Sequence, residues 1–335
     1  MTMRVFVCEF ITGGGLSGEP LPSRLVREGD MMLQAVLRDL LATDQVELVT
    51  TRDVRLGSMA LPVGMESVSA STPVWDCWRC CIREVDAVLA IAPETHGVLE
   101  RISRFVLAED RLLLGSRPES IRVTASKMET ARTLARYGIP AIVSSELDES
   151  LPKSTTGWVV KPDDGVGCEN TFYFETRKDL DPWMRSSTQQ GYIIHPFIAG
   201  VPASVSLLCR DGSARILACN RQLVEVAGGR IRYTGNAINA LACHMPSLVP
   251  IITDTVCAFP GLWGYVGVDI ILSGGGPVVV EINPRLTTAY VGLRQSIRQN
   301  PASLMLDLLA DGEQAFGLPL TRRPTVVKLP AHDDK

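Results

Sequence analysis

The stretch Gly267–Asn283 constrains this chain more than any other. It reads as two apolar strands, Tyr265–Leu272 and Val278–Asn283, joined by Ser273-Gly274-Gly275-Gly276-Pro277. With the turn centred on Gly275, Asp269 and Glu281 lie equally far from the centre and face each other. Alternation along the strand then puts Asn283 on Glu281's face. Two carboxylates opposed on one face repel each other. Their Val, Ile and Leu neighbours desolvate them and sharpen the repulsion. A hard divalent cation relieves it, and an all-oxygen set of Asp, Glu and Asn suits a Mg²⁺ that also binds nucleotide phosphates. The competing reading is a register slip that turns one carboxylate outward.

Composition frames that hairpin. The chain has 335 residues, 46% apolar and 21% charged, with a formal net charge of −4. This is ordinary for a folded protein and long enough for roughly two or three domains. No single-sign field is present, which argues against a nucleic-acid partner held by phosphate contacts. No apolar run reaches ~18 residues, so no membrane span is expected. The stretch Val5–Ile11 is short and carries Glu9, unlike a signal peptide. Nine cysteines, without a disulfide-scaffold spacing, fit a reduced, cytoplasmic compartment.

The first 117 residues alternate strand and helix signals, which implies a parallel sheet. Strands are expected at Arg4–Ile11, Val46–Thr50, Ala87–Ala92 and Leu112–Leu114, and helices at Ser23–Leu41, Cys77–Arg83 and Val98–Ala108. The texture changes near residue 118. Ser126-Lys127-Met128-Glu129 matches a capping box opening a helix that Gly138 and Pro140 stop. Strand-like pieces follow at Ala141–Ser144, Trp158–Lys161, Thr171–Phe174, Tyr192–Ile198, Ser204–Cys209 and Ala214–Val224, with a hairpin signal at Asp211-Gly212. Helices are expected at Val249–Phe259 and Ala302–Ala310. The last five residues are polar and expected to fray.

A second constellation is Trp158-Val159-Val160-Lys161-Pro162-Asp163-Asp164-Gly165-Val166-Gly167. A lysine closing an apolar strand before a glycine loop can set an ammonium and backbone N–H groups around phosphates. Lys127, in the first turn of its helix, is a second candidate cation. Arg285 follows the acidic strand and can clamp a developing phosphoryl charge. The alternative for each is a solvated or ion-paired surface residue. Other features carry less. Gly13, Gly15 and Gly18 fit G-x-G-x-x-G, but Pro20 and Pro22 follow, so a binding loop at a strand's carboxyl end is the better reading. There is no P-loop motif. Cys77-x-x-Cys80-Cys81 lacks a second half at zinc spacing. His96, His195, His244 and His332 show no ligand spacing, and no nucleophilic-serine motif is present.

Taken in order, the Ser126–Pro140 helix, the Val159–Gly167 strand and loop, the Ile194–Val205 stretch and the Asp269–Arg285 hairpin resemble the ATP-grasp superfamily over roughly residues 118–300. The resemblance implies an α/β (α+β) fold. A parallel-sheet pre-ATP-grasp domain (1–117) would precede a small ATP-binding subdomain (118–198) and a C-terminal subdomain with the metal and catalytic residues (199–330). It implies carboxylate–amine ligation through an acyl phosphate, with ATP and Mg²⁺ (Mn²⁺ as an alternative). Lys127, Lys161, Gly165, Gly167, Phe197 and Ile198 would hold the nucleotide. Asp269, Glu281 and Asn283 would hold the metal, and Arg285 and Lys161 would act in phosphoryl transfer. Relatives often pair, so a homodimer is consistent with it. One departure stands out: His195-Pro196 occupies the place of the family's usual acidic residue near the adenine and ribose.

A narrower resemblance rests on Glu9-Phe-Ile-Thr-Gly-Gly-Gly15 and on the run from Glu281 to Leu293. It is to the ATP-grasp group that contains tyramine–L-glutamate ligase of methanofuran biosynthesis. This implies small-molecule substrates, L-glutamate and an aromatic amine or amino acid. Gly13, Gly14, Thr287, Thr288 and Tyr290 would then lie on the substrate side. Helix capping and core packing are the alternative for the last three.

Overall fold

The computed structural model describes residues 2–44, 46–147, 151–186, 190–317 and 320–329. Its amino-terminal part is a five-stranded parallel sheet. The strands are β1 (Met3–Glu9), β2 (Val46–Asp53), β3 (Gly64–Val68), β4 (Ala87–Ile91) and β5 (Leu112–Leu113), in the order β3-β2-β1-β4-β5. The central strand is apolar on both faces, as a sheet covered on both sides requires. Val5 and Val7 pack under α1 (Ser23–Leu41) against Leu33, Val36 and Leu37. Phe6 and Cys8 face the other way, toward Trp78 and Ile82 of α2 (Val74–Arg83) and Ile102 of α3 (Val98–Ala108). The carboxyl ends of β1 and β4 therefore open on one edge, where Glu9 and the segment after Ile91 emerge. Ligands bind at such edges of parallel sheets.

Two short helices, α4 (Pro118–Ala125) and α5 (Lys127–Arg136), lead into a second sheet. It comprises β6 (Ser145–Glu146), β7 (Trp158–Pro162), β8 (Phe172–Phe174), β9 (Tyr192–Pro196), β10 (Gly200–Arg210), β11 (Ser213–Ala227), β12 (Arg230–Ile238), β13 (Gly264–Ser273), β14 (Gly276–Asn283) and β15 (Thr325–Lys328). The pairing is antiparallel along the path β14-β13-β10-β11-β12-β8-β7-β9-β6, and β15 adds to β12. Helix α6 (Arg177–Arg185) brings Leu180 to a small core with Val160 and Ile194. Helix α7 (Met245–Cys257) buries Leu248, Ile252 and Val256 against the β10, β13 and β14 side. The last helices, α8 (Leu293–Ile297) and α9 (Pro301–Asp311), join the core of α1 through Leu293, Leu304 and Leu308. The two sheets thus share one apolar core, and the first sheet's open edge faces the second. Among the described residues no helix is long and apolar enough to cross a membrane.

The chain departs from its sequence expectations in several places. Ala141–Ser144 is not a strand: only Ala141 bridges, to Val279, and β6 begins at Ser145. Helix α4 escaped notice because its one signal is Pro118 at the first turn. Strand β12 escaped because Arg230 and Arg232 interrupt its apolar pattern. The capping box is half made. Ser126 Oγ accepts from Glu129 N at 3.0 Å, but the Glu129 carboxylate pairs with Arg132 at 2.7 Å. Asp211-Gly212 does form the tight turn, both residues having positive φ. The last five residues lie outside the described ones.

Candidate active site

The β13–β14 hairpin does oppose its two carboxylates, but by a route other than a turn centred on Gly275. Ser273 pairs with Gly276, so the turn is the two residues Gly274-Gly275, and Ile270 pairs with Val279. Continued without a break, that register would set Asp269 against Val280. A bulge places one extra residue, Val280, between the two, and Asp269 faces Glu281. The bulge also keeps Asn283 level with Gly267, on the same face. Across β10 the row continues through Ser204, which pairs with Asp269, to Asn220, whose Nδ2 donates to Ser204 Oγ at 3.3 Å.

The electrostatics follow from this crowding. Burial, then the facing Glu281, pushes the Asp269 carboxyl well above its ordinary value, although Gln222 donates to it. Burial would raise Glu281 too, but Lys127 and Lys161 outweigh it and hold that carboxyl below its ordinary value. Lys127 Nζ lies 3.5 Å from Glu281 and donates to the carbonyls of Asp163 (3.0 Å) and Gly165 (2.6 Å). Lys161 is buried at the end of β7. Burial drives its ammonium down to about 8, with Glu281 pulling it back up. The glycine loop is pinned on both sides. Asp163 Oδ1 accepts from Met128 N at 2.9 Å, and the Asp164 carbonyl accepts from Thr95 Oγ1 at 2.7 Å.

Two cavities meet at this pair. The first lies between the sheets and is lined by Glu9, Arg24, Asn283, Arg285, Thr287 and Thr288, among others. The second lies along β7 and β9. It is walled by Val159, Phe197, Ile198 and Ile270, with Lys127, Lys161 and Gly165 at its polar end. Asp269, Glu281 and Gln222 line both. Lys127, Lys161, Gly165, Phe197, Ile198, Asp269, Glu281, Asn283, Arg285, Thr287 and Thr288 therefore converge on one region, and Gly167 lines the first cavity. Gly13, Gly14 and Tyr290 reach neither. Gly13 and Gly14 are buried against Thr51 and Val68, where a Cβ would fall 2.7 Å and 2.4 Å from side-chain atoms. Tyr290 is a core residue, edge-on to Tyr265 at 5.5 Å. Packing accounts for all three.

His195 lines the second cavity beside Pro196. Its Nδ1 sits 2.9 Å from the Pro196 carbonyl, and burial lowers its ring to about 3, so it is a neutral imidazole. The donor set fits a hard divalent cation. Among the described residues no three His, Cys, Asp or Glu side chains converge, but two opposed carboxylates and an amide do, with Asp269 poorly neutralised. Such oxygens suit a cation that completes its shell with phosphates and water. The buried, under-compensated Lys161 fits phosphate on the other side.

Sequence reasoning missed Glu94. It sits just past β4, and its Oε2 accepts from Arg285 Nε at 3.1 Å and Nη2 at 2.9 Å, with Glu94 buried and Arg285 largely so. Its separation from Arg285 in sequence left no local signal. Tyr233 and Asn236 were missed with β12. The Tyr233 hydroxyl lies 2.7 Å from Thr288 Oγ1 and accepts from Asn236 Nδ2 at 2.5 Å.

The ATP-grasp domain family matches residues 124–289, and the pre ATP-grasp 3 domain family matches residues 46–121. The tyramine–L-glutamate ligase of Methanocaldococcus jannaschii is 24% identical over 81% of this chain and 79% of its own length. That of Methanocaldococcus fervens is 26% identical over 63% of this chain and 62% of its own. Among solved structures, a protein from Archaeoglobus fulgidus assigned to the ATP-grasp superfamily superposes with a TM-score of 0.71 at 25% identity, covering 93% of this chain and 89% of that one. The L-amino acid ligase of Bacillus licheniformis superposes at 0.69 and 16% identity, over 97% and 78%.

Proposed function

The chain belongs to the ATP-grasp superfamily and is an amide-bond-forming ligase, and from that premise we propose that it joins the γ-carboxylate of L-glutamate to tyramine, with tyrosine as the alternative amine. The observation that carries this reading is the meeting of two cavities at Asp269 and Glu281. One is an apolar slot with lysines at its end, suited to a purine and its phosphates. The other is a chamber between the sheets, with Glu9, Arg24, Arg285 and Thr287 set in a largely apolar wall, suited to the two substrates. The names of the curated relatives support the substrate pair.

Phosphoryl transfer in such a site is mostly positioning and charge neutralisation. Lys127 and Lys161 hold the phosphates at the carboxylate end of the slot. The substrate carboxylate attacks the terminal phosphorus, ADP leaves, and an acyl phosphate forms. The amine, having given up its ammonium proton, then attacks the acyl carbon. Phosphate departs with the electron pair of the broken C–O bond, and the nitrogen loses a second proton, to the departing phosphate or water, as the amide forms. Arg285, fixed in direction by Glu94, stabilises the charge that develops during transfer. Asp269, Glu281 and Asn283 would hold Mg²⁺, with Mn²⁺ as the alternative, and the bound cation would neutralise charge on the phosphates. Thr287 and Thr288 line the substrate side.

The test is ADP release with Mg²⁺-ATP and L-glutamate, with and without tyramine or tyrosine, the products being weighed by mass spectrometry. Release that needs both substrates, with a product equal to their sum minus water, supports the reading and names the amine. Release only with a different amino-acid pair discards the glutamate–tyramine assignment and keeps the ligase. Nucleotide binding without release for any pair overturns turnover altogether.

A further inference from the structure

Glu9 stands apart from the other buried acids of this protein. Among the described residues, four Asp or Glu side chains are almost fully buried: Glu9, Asp39, Asp53 and Glu94. Asp39 pairs with Arg294 at 2.9 Å, Asp53 with Arg55 at 2.6 Å and Glu94 with Arg285 at 2.9 Å. Glu9, 3% exposed, has no lysine or arginine against it among the described residues. Its Oε2 accepts from Thr12 N and from Thr12 Oγ1, both at 2.6 Å. These bonds favour the charged form, yet burial outweighs them and raises its pKa, and the charge that acts on it is another acid, Asp30. A buried charge is normally compensated, and here the compensation is missing on the protein's side.

The surroundings give that charge an address. Glu9 ends β1 at the ligand-binding edge of the first sheet and lines the first cavity, the one that also contains Asp269 and Glu281. Helix α1 passes directly over the carboxylate at Gly29, where a Cβ would lie 2.7 Å from Oε1. Ile11, Leu25, Met32 and Ile91 supply apolar wall around it. One carboxylate in an apolar pocket is a poor seat for a divalent metal, which needs six or more oxygens. It is a good seat for an alkylammonium, whose charge it answers and whose carbon body the walls accept.

Resting on the ligase reading above, we propose that Glu9 is the ammonium-binding group of the substrate cavity, receiving a primary ammonium attached to an apolar body. Two substrates of the proposed reaction carry a primary ammonium: the attacking amine, which has the apolar body and gives up its proton before attack, and the amino acid that is activated, through its α-ammonium. Glu9 holds one of them; Asp269, Glu281 and Arg285 act on the phosphoryl side of the same cavity.

The experiment compares wild type with Glu9→Gln, which keeps an oxygen for Thr12 and removes the charge. Two assays with ATP, Mg²⁺ and L-glutamate are run. One uses tyramine as nucleophile, and the other uses hydroxylamine, which is uncharged at neutral pH and traps the acyl phosphate as a hydroxamate. If Glu9 seats the attacking amine, the KM for tyramine rises by about tenfold or more, the loss of one charge-assisted contact, while the KM for L-glutamate in the hydroxylamine assay does not move. If it seats the α-ammonium, the KM for L-glutamate rises in both assays, and the preference for L-glutamate over glutarate disappears. A merely structural Glu9 lowers kcat in both assays through a misfolded fraction and moves neither KM; that result overturns the proposal. A wild-type enzyme that forms neither amide nor hydroxamate overturns the ligase reading itself, an outcome distinct from an active wild type with an indifferent Glu9→Gln variant.

Discussion

Arg285 places its Nε and one Nη on a single oxygen of Glu94, at 3.1 and 2.9 Å, and so ties the loop after β14 to the loop after β4. The bond crosses from the second sheet to the first. With Nη1 donating to the Leu286 carbonyl at 3.1 Å, it fixes the guanidinium plane beside the cavity that Arg285 lines. Removing one member of a buried ion pair strands the other's charge, at a cost of about 3–5 kcal/mol. Glu94→Ala is therefore expected to lower the thermal midpoint clearly. In its folded fraction kcat should fall with little change in the KM for ATP, because Arg285 is misdirected rather than absent. Calorimetry and initial rates check both. A variant with wild-type kcat would show that Arg285 needs no brace.

Asp269, facing Glu281, carries a stability cost of its own. Burial and the facing carboxylate hold the Asp269 pKa well above its ordinary value. An acid whose folded pKa is raised costs stability once the pH climbs above its unfolded pKa. The penalty grows until the folded pKa is passed. Without divalent cation at neutral pH, Asp269→Asn should therefore be more stable than wild type, by about 0.5–2 kcal/mol, with the gain vanishing near pH 3. The same variant should lose turnover and lose the rise in melting temperature that Mg²⁺-ATP gives wild type. Melting curves with chelator and with Mg²⁺-ATP test this. A variant that Mg²⁺-ATP stabilises as well as wild type would remove Asp269 from the metal set.

Much of this site was legible in the sequence because its chemistry is clustered locally. A lysine closes an apolar strand before a glycine loop, a capped helix carries Lys127, and two carboxylates flank a glycine turn. Even there the facing of Asp269 and Glu281 was reached through a symmetric turn, whereas the chain uses a two-residue turn and a bulge at Val280. Bulges leave no mark in an alternation of Val and Ile. What stayed hidden was long-range. The partnership of Glu94 with Arg285, and the arrival of Tyr233 beside Thr288, depend on how two sheets meet, which no local pattern encodes. Tyr290 and the Gly13-Gly14 pair line neither cavity. Motif position suggested a ligand, while close packing against Tyr265, Thr51 and Val68 explains those residues.

Lys161 gives the site a measurable pH signature. Burial lowers its ammonium to about 8. If nucleotide phosphates bind beside it as proposed, they favour the charged form and raise its pKa in the complex. Above pH 8 the free protein has lost this proton and the complex has kept it, so binding takes a proton up and affinity falls as pH rises. Titration calorimetry of ATP in buffers of differing ionisation enthalpy should show net proton uptake at pH 8.5 and little at pH 6.5, where both forms are charged. Lys161→Met should abolish the uptake and weaken ATP binding. Uptake that persists in the variant would assign it to another group.

Gly14 separates a packing role from a substrate role. Its φ is +97°, a conformation that side chains resist, and a Cβ there would lie 2.4 Å from Val68 Cγ1. Both effects act on the folded state alone, so Gly14→Ala is expected to cost about 1–3 kcal/mol from backbone strain, with the clash adding to it. The strand end it follows carries Glu9, but the glycine itself reaches neither cavity. The variant's melting temperature should drop while the KM values for ATP, carboxylate and amine in the folded fraction stay near wild type. A raised KM with an unchanged melting temperature would restore the Ile11–Gly15 turn to the substrate side and show that its glycines are there for approach of a ligand rather than of Val68.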